Sequence, residues 1–360
     1  MNKKLLASSV ALCLAAMAGV ASADVQVYAR VDTGLKYLHT KDFAGNRDDA
    51  FSMASGQYAG SRYGFKGKEK FANGMEVGFK LEANCDSDTG AGFKGGRAFH
   101  RDSLIYIKGD LGEFIFGRYG VIDSGNGGYA LLNDDFVAFG TGWGDTIGTN
   151  EYIMMGLHKR TDNVFTYKSP AVGGVTFYAQ GSTKVDQVKA TYSDYAEGTS
   201  DATRYYALGA KYNGGALKGF VTVSKDDIGK TIRQTSGGDD AYTVSAGVMY
   251  DFGFVNLKAA AQYFDQGLDG QVKGAGYALS ATAPLAGGTL YGYLGYADAK
   301  QTDDNKVKIE NYLVSAGYEY KLSKRTLVYV GASFLSQDDP REGKEKAETI
   351  EVATGLLLNF

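Results

Sequence analysis

Most of this chain repeats one pattern, segments of about ten residues in which apolar and polar side chains alternate. Because successive side chains of a β-strand point to opposite faces, a period of two with one apolar face predicts strands. The same alternation returns near residues 77–83, 242–252 and 312–320. The apolar face of the first segment carries Val25, Val27, Ala29, Val31, Leu35 and Tyr37, and its polar face carries Gln26, Arg30, Asp32 and Lys36.

The connections between these segments alternate between short and long. Seven short connections carry Gly, Asn and Pro, which suit tight turns. Eight long connections are polar and often acidic, among them residues 39–57 and 120–151. Together they join sixteen strands in up-and-down order. The composition agrees, because 50 Gly, 26 Tyr and 19 Phe against 3 Pro favour strands and turns over helices.

Two architectures hold this many alternating strands in one chain. A soluble sandwich or propeller buries its apolar faces, whereas a membrane barrel turns them to lipid and its polar faces to a lumen. Arg30, Arg62 and Lys80 stand in the middle of the polar face, where a soluble core would exclude charges. Tyr and Phe recur near strand ends, as in the aromatic girdles of membrane barrels. We therefore expect an all-β protein, a 16-stranded antiparallel transmembrane β-barrel.

The start of the chain predicts a cleaved export signal. A basic beginning, an apolar run over residues 5–20 and the pattern Ala21-Ser22-Ala23 are typical of a signal peptide and its cleavage site. Removal of residues 1–23 leaves residues 24–360 as the barrel domain, with Cys85 as its single cysteine and no internal disulfide. The remaining 36 basic and 41 acidic residues give a net charge of −5.

Charge and rare residue types exclude several classes of function. The whole chain has 38 Lys and Arg against 41 Asp and Glu, which leaves no basic excess for binding nucleic acid. Its three histidines, His39, His100 and His158, lack the spacing of a zinc site, and no nucleophile motif lies near them. We therefore expect no cofactor, no metal and no enzymatic activity.

The last segment predicts how the barrel closes. Ile350, Val352, Thr354, Leu356, Leu358 and Phe360 share one face of an alternating strand that ends at the final residue. An apolar strand left as an open edge would be an aggregation hazard, so this strand is expected to pair on both sides and to close against the first strand. A terminal Phe in this setting resembles the assembly signal of outer-membrane barrels.

Six fragments along the whole exported chain stand out by their order and spacing. They are Val27-Tyr28-Ala29-Arg30-Val31-Asp32, Ser61-Arg62-Tyr63-Gly64-Phe65-Lys66-Gly67, Gly109-Asp110-Leu111-Gly112, Phe116-Gly117-Arg118, Asn163-Val164-Phe165-Thr166-Tyr167-Lys168-Ser169-Pro170 and Asn359-Phe360. Together they resemble the general porins of Gram-negative bacteria. This resemblance implies a trimeric sixteen-stranded barrel in the outer membrane, with short periplasmic turns and a third long loop that folds inward and narrows the pore.

The resemblance also implies where the constriction of the pore lies. Arg30 on strand one, Arg62 on strand two, Arg101 on strand four and Arg160 at the start of strand six align with its basic wall. Arg118 leads into the third loop and is a further candidate. The opposing acids are expected on residues 120–151, with Asp123, Asp134 and Asp135 as candidates and their orientation left open. Arginines facing carboxylates would create a transverse field that sets ion preference.

The function predicted from these features is a water-filled channel for passive diffusion of small hydrophilic solutes and ions. The expected partners are outer-membrane lipids and lipopolysaccharide, the barrel assembly machinery and two further copies of the chain. Two alternatives stay open, a channel specific for one substrate and a barrel that acts mainly as a surface adhesin. Aromatic slides or a dense Lys cluster at the constriction would mark the specific channel.

Overall fold

The computed structural model describes residues 24–92, 96–125, 127–133, 135–140, 142–148, 150–156, 160–185 and 195–360. The predicted signal peptide, residues 1–23, lies outside this part, as does Asp134. No helix in the described ranges is long and apolar enough to cross a membrane.

The described residues form seventeen strands, one short α-helix and a single 3₁₀ turn at Asn150–Tyr152. Helix α1 spans Lys230–Ser236 in a long connection. The strands are β1 (Asp24–Lys41), β2 (Arg47–Ser55), β3 (Arg62–Lys70), β4 (Glu76–Asn84), β5 (Asp102–Gly109), β6 (Gly112–Gly120), β7 (Arg160–Lys168), β8 (Val175–Ser182), β9 (Arg204–Gly214), β10 (Leu217–Asp227), β11 (Ala241–Asp251), β12 (Asn256–Asp265), β13 (Val272–Leu285), β14 (Gly288–Gln301), β15 (Lys308–Lys321), β16 (Thr326–Asp338) and β17 (Ala347–Asn359).

The strands form a closed antiparallel barrel. From β3 onward each strand pairs with the next one along the chain, and β17 pairs with β1 from Arg30↔Asn359 to Lys41↔Glu348. On its other side β1 pairs with both β2 and β3, so these two strands share one position in the wall, separated by residues 56–61. The described wall therefore has sixteen strand positions, which confirms the predicted number and order.

One predicted connection is wrong. Residues 39–57 were expected to form a long loop, but β1 continues to Lys41 and β2 begins at Arg47, so the connection is the short turn 42–46. The segment is rich in charge, which is typical of loops, yet Thr33–Lys41 pair residue by residue with Arg47–Ser55 and form a projecting hairpin. No strand among the described residues pairs with β2 on the side away from β1.

The two faces of the wall confirm the predicted alternation. The outer face exposes large apolar side chains, for example Val27, Tyr242 and Val314. The inner face buries polar side chains such as Ser280 and Glu351. A surface that exposes apolar groups over its whole circumference is suited to lipid rather than to water.

The closing strand behaves as its sequence predicts. β17 pairs with β16 on one side and with β1 on the other. Phe360 extends this pairing, because its N–H donates to the carbonyl of Ala29 at 2.9 Å while its side chain remains exposed on the outer face. The apolar edge that would endanger a soluble sheet is therefore paired.

Candidate functional site

Five basic side chains from one side of the barrel meet at a single cavity of about 500 Å³. The strands position them by register, since Arg30 of β1 is directly opposite Arg62 at the start of β3. The structure thus brings together the four arginines predicted for the basic wall and adds a lysine of β4. We call these residues, with the two carboxylates among them, the basic cluster: Arg30, Arg62, Lys80, Arg101 and Arg160, with Glu82 and Asp102.

Glu82 is the more connected of the two carboxylates. It is almost fully buried on β4 and accepts a hydrogen bond from Nε of Arg101 at 2.5 Å. Lys80 lies 3.1 Å and Arg62 3.7 Å from its oxygens, and the Tyr28 hydroxyl donates to it at 2.9 Å. One negative charge is therefore shared among three cations.

Asp102 plays the same part at the first residue of β5. Its carboxylate accepts hydrogen bonds from Nζ of Lys80 at 2.5 Å and from Nε of Arg160 at 3.1 Å. Asp102 is also directly opposite Glu82 in the sheet. Two like charges directly opposite each other would destabilise the strand pair if no cation lay between them. Lys80 is such a cation, because its Nζ forms salt bridges with both carboxylates.

The basic cluster keeps an excess of positive charge. Its five cations and two carboxylates leave a net charge of +3. Arg30 donates from Nε to the neutral amide oxygen of Asn359 at 2.7 Å, and Arg62 is the more distant partner of Glu82. Among the described residues that line the cavity, the side opposite the arginines carries no carboxylate.

Arg101 differs in placement from what was expected, and Arg118, which leads into the β6–β7 connection as expected, lies apart from the cavity lining. Arg101 was placed on the fourth barrel strand, but β5 begins at Asp102, so Arg101 immediately precedes it. Its side chain still reaches the basic cluster. Arg118 lies on β6 at an irregularity in the pairing with β7 and bonds Asp162 at 2.7 Å and the carbonyl of His100 at 2.8 Å. It is not among the described residues that line the cavity.

The candidate loop acids bind the barrel wall. Asp123 is fully buried and accepts hydrogen bonds from the hydroxyls of Tyr205 at 2.6 Å and Ser224 at 2.5 Å. Neither Asp123 nor Asp135 lines the cavity of the basic cluster in the described part of the chain. Asp134 lies outside the described residues, so its orientation stays a prediction.

Asp135 forms a second ionic contact with the wall. Lys211 and Lys218 donate to its two oxygens at 2.6 and 2.7 Å. Burial alone would raise the pKa of the Asp135 carboxyl, but the hydrogen bonds from the two lysines outweigh burial, and the pKa lies below its ordinary value. The carboxyl is therefore ionised at neutral pH and balances charge on β9 and β10.

The connection between β6 and β7 contacts inner-face residues of the opposite wall at several of its described positions. The N–H of Ala138 donates to Ser280 of β13 at 3.1 Å, and the N–H of Gly156 donates to Gln262 of β12 at 2.9 Å. Asn311 of β15 donates to the carbonyl of Tyr152 at 2.7 Å. The apolar side chains of this connection are fully buried at Phe136, Ile147, Ile153 and Met154.

Inner-face glycines leave room for this connection. A Cβ at Gly317 of β15 would lie 2.8 Å from the ring of Phe139, and one at Gly331 of β16 would lie 3.1 Å from Trp143. These two glycines are directly opposite each other in the sheet. A side chain at either position would therefore occupy the space that the rings fill.

The two carboxylates of the basic cluster were missed in the sequence, although a signal for one exists. Glu82 shares the inner-face parity of Lys80, two residues before it on β4. The proximity of Asp102 depends on the stagger between β4 and β5, which a period of two does not encode. No group of three or more His, Cys, Asp or Glu in the described ranges could hold a metal ion.

Comparisons with known proteins agree with this architecture. A family model described as Gram-negative porin matches residues 8–340. The chain is 30% identical to an outer membrane porin protein of Bordetella pertussis over all of both chains. It is 29% identical to outer membrane porin protein 32 of Delftia acidovorans over 94% of this chain and 91% of that one.

A solved structure supports the fold. The anion-selective porin from Comamonas acidovorans superposes with a TM-score of 0.72 at 24% identity, covering 94% of this chain and all of that one.

Proposed function

The chain belongs to the Gram-negative porin family, and from this premise we propose that its channel favours small anions. As an outer-membrane porin it forms a channel through which small hydrophilic solutes and ions diffuse passively. The main support for a preference for anions is the net charge of +3 at the basic cluster, with no opposing carboxylate among the described lining residues.

The excess charge at the cluster supports anion preference more directly than the whole chain does. The chain as a whole is acidic, but an ion in the pore responds mainly to charges within about one Debye length, roughly 10 Å at 0.1 M salt. The two carboxylates that line the cavity are already bonded to cations of the cluster. The remaining positive charge attracts an anion and repels a cation of the same size.

We further propose that the β6–β7 connection folds into the lumen and narrows the channel beside the basic cluster. Its hydrogen bonds to inner-face residues of β12, β13 and β15 support this placement. In this proposal Asp123 and Asp135 fasten the connection to the wall, and the field at the constriction comes from the basic cluster. No covalent step is part of the proposed function, because diffusion through the channel needs none.

The assembly of the barrel is also a proposal. We propose a homotrimer in contact with outer-membrane lipids and lipopolysaccharide, as the resemblance to porins implies. We propose as well that Phe360 is read by the barrel assembly machinery, supported by its exposed ring at the end of the closing strand. Chemical cross-linking of the detergent-solubilised protein tests the homotrimer. The yield of folded Phe360→Ala barrel in cells tests the role of Phe360.

The first prediction concerns Arg101, whose replacement by Gln removes one charge from the basic cluster. A unit charge about 5 Å from the path of an ion in water changes the energy of that ion by roughly 0.8 kcal/mol, about a fourfold change in preference. We expect the reversal potential in a KCl gradient, measured in a planar bilayer, to show strong anion preference in the unmodified protein and a loss of up to about fourfold in Arg101→Gln.

The matched control is Lys344→Gln, which removes one charge from an exposed position in the connection between β16 and β17. Its reversal potential should equal that of the unmodified protein. A cation preference in the unmodified protein, or equal shifts in the two variants, would contradict the proposed selectivity.

A further inference from the structure

The cavity beside the basic cluster has a second wall made of aromatic side chains. Tyr58, Phe139, Trp143 and Tyr291 line the same cavity as the arginines. Their rings pack on one another, with centroids 4.7 Å apart for Tyr58 and Trp143 and 5.2 Å apart for Trp143 and Tyr291. Fixed cations therefore share one small volume with a continuous aromatic surface.

The aromatic wall is held in place from several elements. The N–H of Tyr58 donates to the buried carboxylate of Asp32 at 2.7 Å, and the Tyr58 hydroxyl donates to Glu319 of β15. Trp143 contacts Tyr329 of β16 at 5.5 Å between centroids. Rings fixed in this way lose little conformational entropy when a solute binds against them.

The ring surfaces differ in what they offer to a solute. Phe139 and Trp143 are almost fully buried, whereas Tyr58 and Tyr291 are half-buried and leave part of their area accessible. The cavity of about 500 Å³ lies within the range of roughly 300–1,000 Å³ typical of small-molecule sites.

On the basis of the proposed anion preference, we infer that this cavity is a weak binding site for small planar aromatic carboxylates. The carboxylate lies against the arginines of the basic cluster, and the ring of the solute packs against Tyr58 and Tyr291. Arginine suits this task, because its planar group binds a carboxylate through two N–H donors and also stacks on rings. An aromatic contact strengthens binding by about two- to tenfold.

Weak binding is what a diffusion channel requires. A solute must bind well enough to enter and loosely enough to leave, so a modest aromatic contribution raises its occupancy without trapping it. With such a site the channel discriminates among anions of equal charge, in addition to its preference for anions over cations. A group of rings that only packs the β6–β7 connection against the wall would give no such discrimination.

Current block in a planar bilayer tests the inference. Benzoate, cyclohexanecarboxylate and acetate carry the same charge, and the first two are of similar size but differ in aromaticity. We expect benzoate to reduce the chloride current at concentrations about two- to tenfold lower than cyclohexanecarboxylate, and acetate to block least. Equal block by benzoate and cyclohexanecarboxylate overturns the inference.

Variants at Tyr291 show whether the aromatic wall is responsible. Tyr291→Leu should weaken benzoate block to the level of cyclohexanecarboxylate, and Tyr291→Phe, which keeps the ring, should retain it. Tyr320→Leu, at an exposed outer-face position, is the control. Unchanged benzoate block in Tyr291→Leu counts against the inference.

The two proposals fail in different measurements. A KCl reversal potential without anion preference overturns the proposed selectivity. Anion preference without preferential block by benzoate overturns the aromatic site alone.

Discussion

At the scale of single residues, one buried carboxylate fixes part of the β6–β7 connection to the closing strand. Glu351 of β17 is fully buried and accepts hydrogen bonds from the N–H groups of Asp145, at 2.9 Å, and Thr146, at 2.6 Å. The hydroxyl of Thr146 donates to the same carboxylate at 2.7 Å. A carboxylate buried in this way is stable only while its donors stay in place, so Glu351 and the connection hold each other.

Replacement of Glu351 by Ala should release this contact. Hydrogen bonds to a charged acceptor contribute about 1.5–3 kcal/mol each. The variant lacks the carboxylate that accepts all three of these hydrogen bonds. We expect larger fluctuations of the open-channel current in single-channel recordings, with the β-sheet signal in circular dichroism retained. Glu345→Ala, at an exposed position of the connection between β16 and β17, should leave the current steady. A quiet channel in Glu351→Ala would contradict the role given to this residue.

At the scale of elements, alternation in the sequence predicts which face a side chain occupies but not its height in the barrel. The inward parity of Arg30, Arg62 and Lys80 could be read directly, because it needs only a period of two. The pairing of Lys80 with Asp102 could not, since it depends on the stagger of β4 against β5. The hairpin of β1 and β2 was missed for a related reason, because its charged residues are typical of loops and their pairing with β1 is not encoded in the local pattern.

The predicted loop acids illustrate the same limit. Composition showed that the β6–β7 connection contains carboxylates, yet the partners of Asp123 and Asp135 lie on β9 and β10, far away along the chain. Whether such an acid faces the channel or the wall is decided by which hydroxyls and lysines stand opposite it. Single-residue alternation carries no information on that choice.

An inner-face glycine provides the prediction that belongs to this scale. Gly317→Leu should displace the rings of Phe139 and Trp143, because even a Cβ there would lie 2.8 and 3.0 Å from them. Overpacking of this kind costs about 1–3 kcal/mol, and we expect an altered single-channel conductance together with weaker benzoate block. Gly292→Leu on the outer face of β14, where a Cβ would meet open space, should leave both unchanged. An unaltered channel in Gly317→Leu would show that the rings do not depend on this space.

At the scale of the whole molecule, the circumference of the barrel is divided between two tasks. The strands from β1 to β7 carry the basic cluster, and the strands from β8 to β17 receive most of the contacts of the β6–β7 connection. The arginines that line the cavity therefore lie on one side, and most of the contacts of the β6–β7 connection lie on the other. A negatively charged chain can in this way present a positive channel.

The split of one wall position between β2 and β3 has a consequence for the cohesion of the sheet. Because β2 pairs only with β1 among the described strands, every second amide of Arg47–Ser55 has no carbonyl of a neighbouring strand to receive it. We expect those amides to exchange their hydrogens for deuterium much faster than the amides of β15, which is paired on both sides. Mass spectrometry of the detergent-solubilised protein measures this, and equal protection of the two segments would contradict it. The wall of the barrel would then begin to lose its strand pairing at a definite place, the side of β2 that faces away from β1.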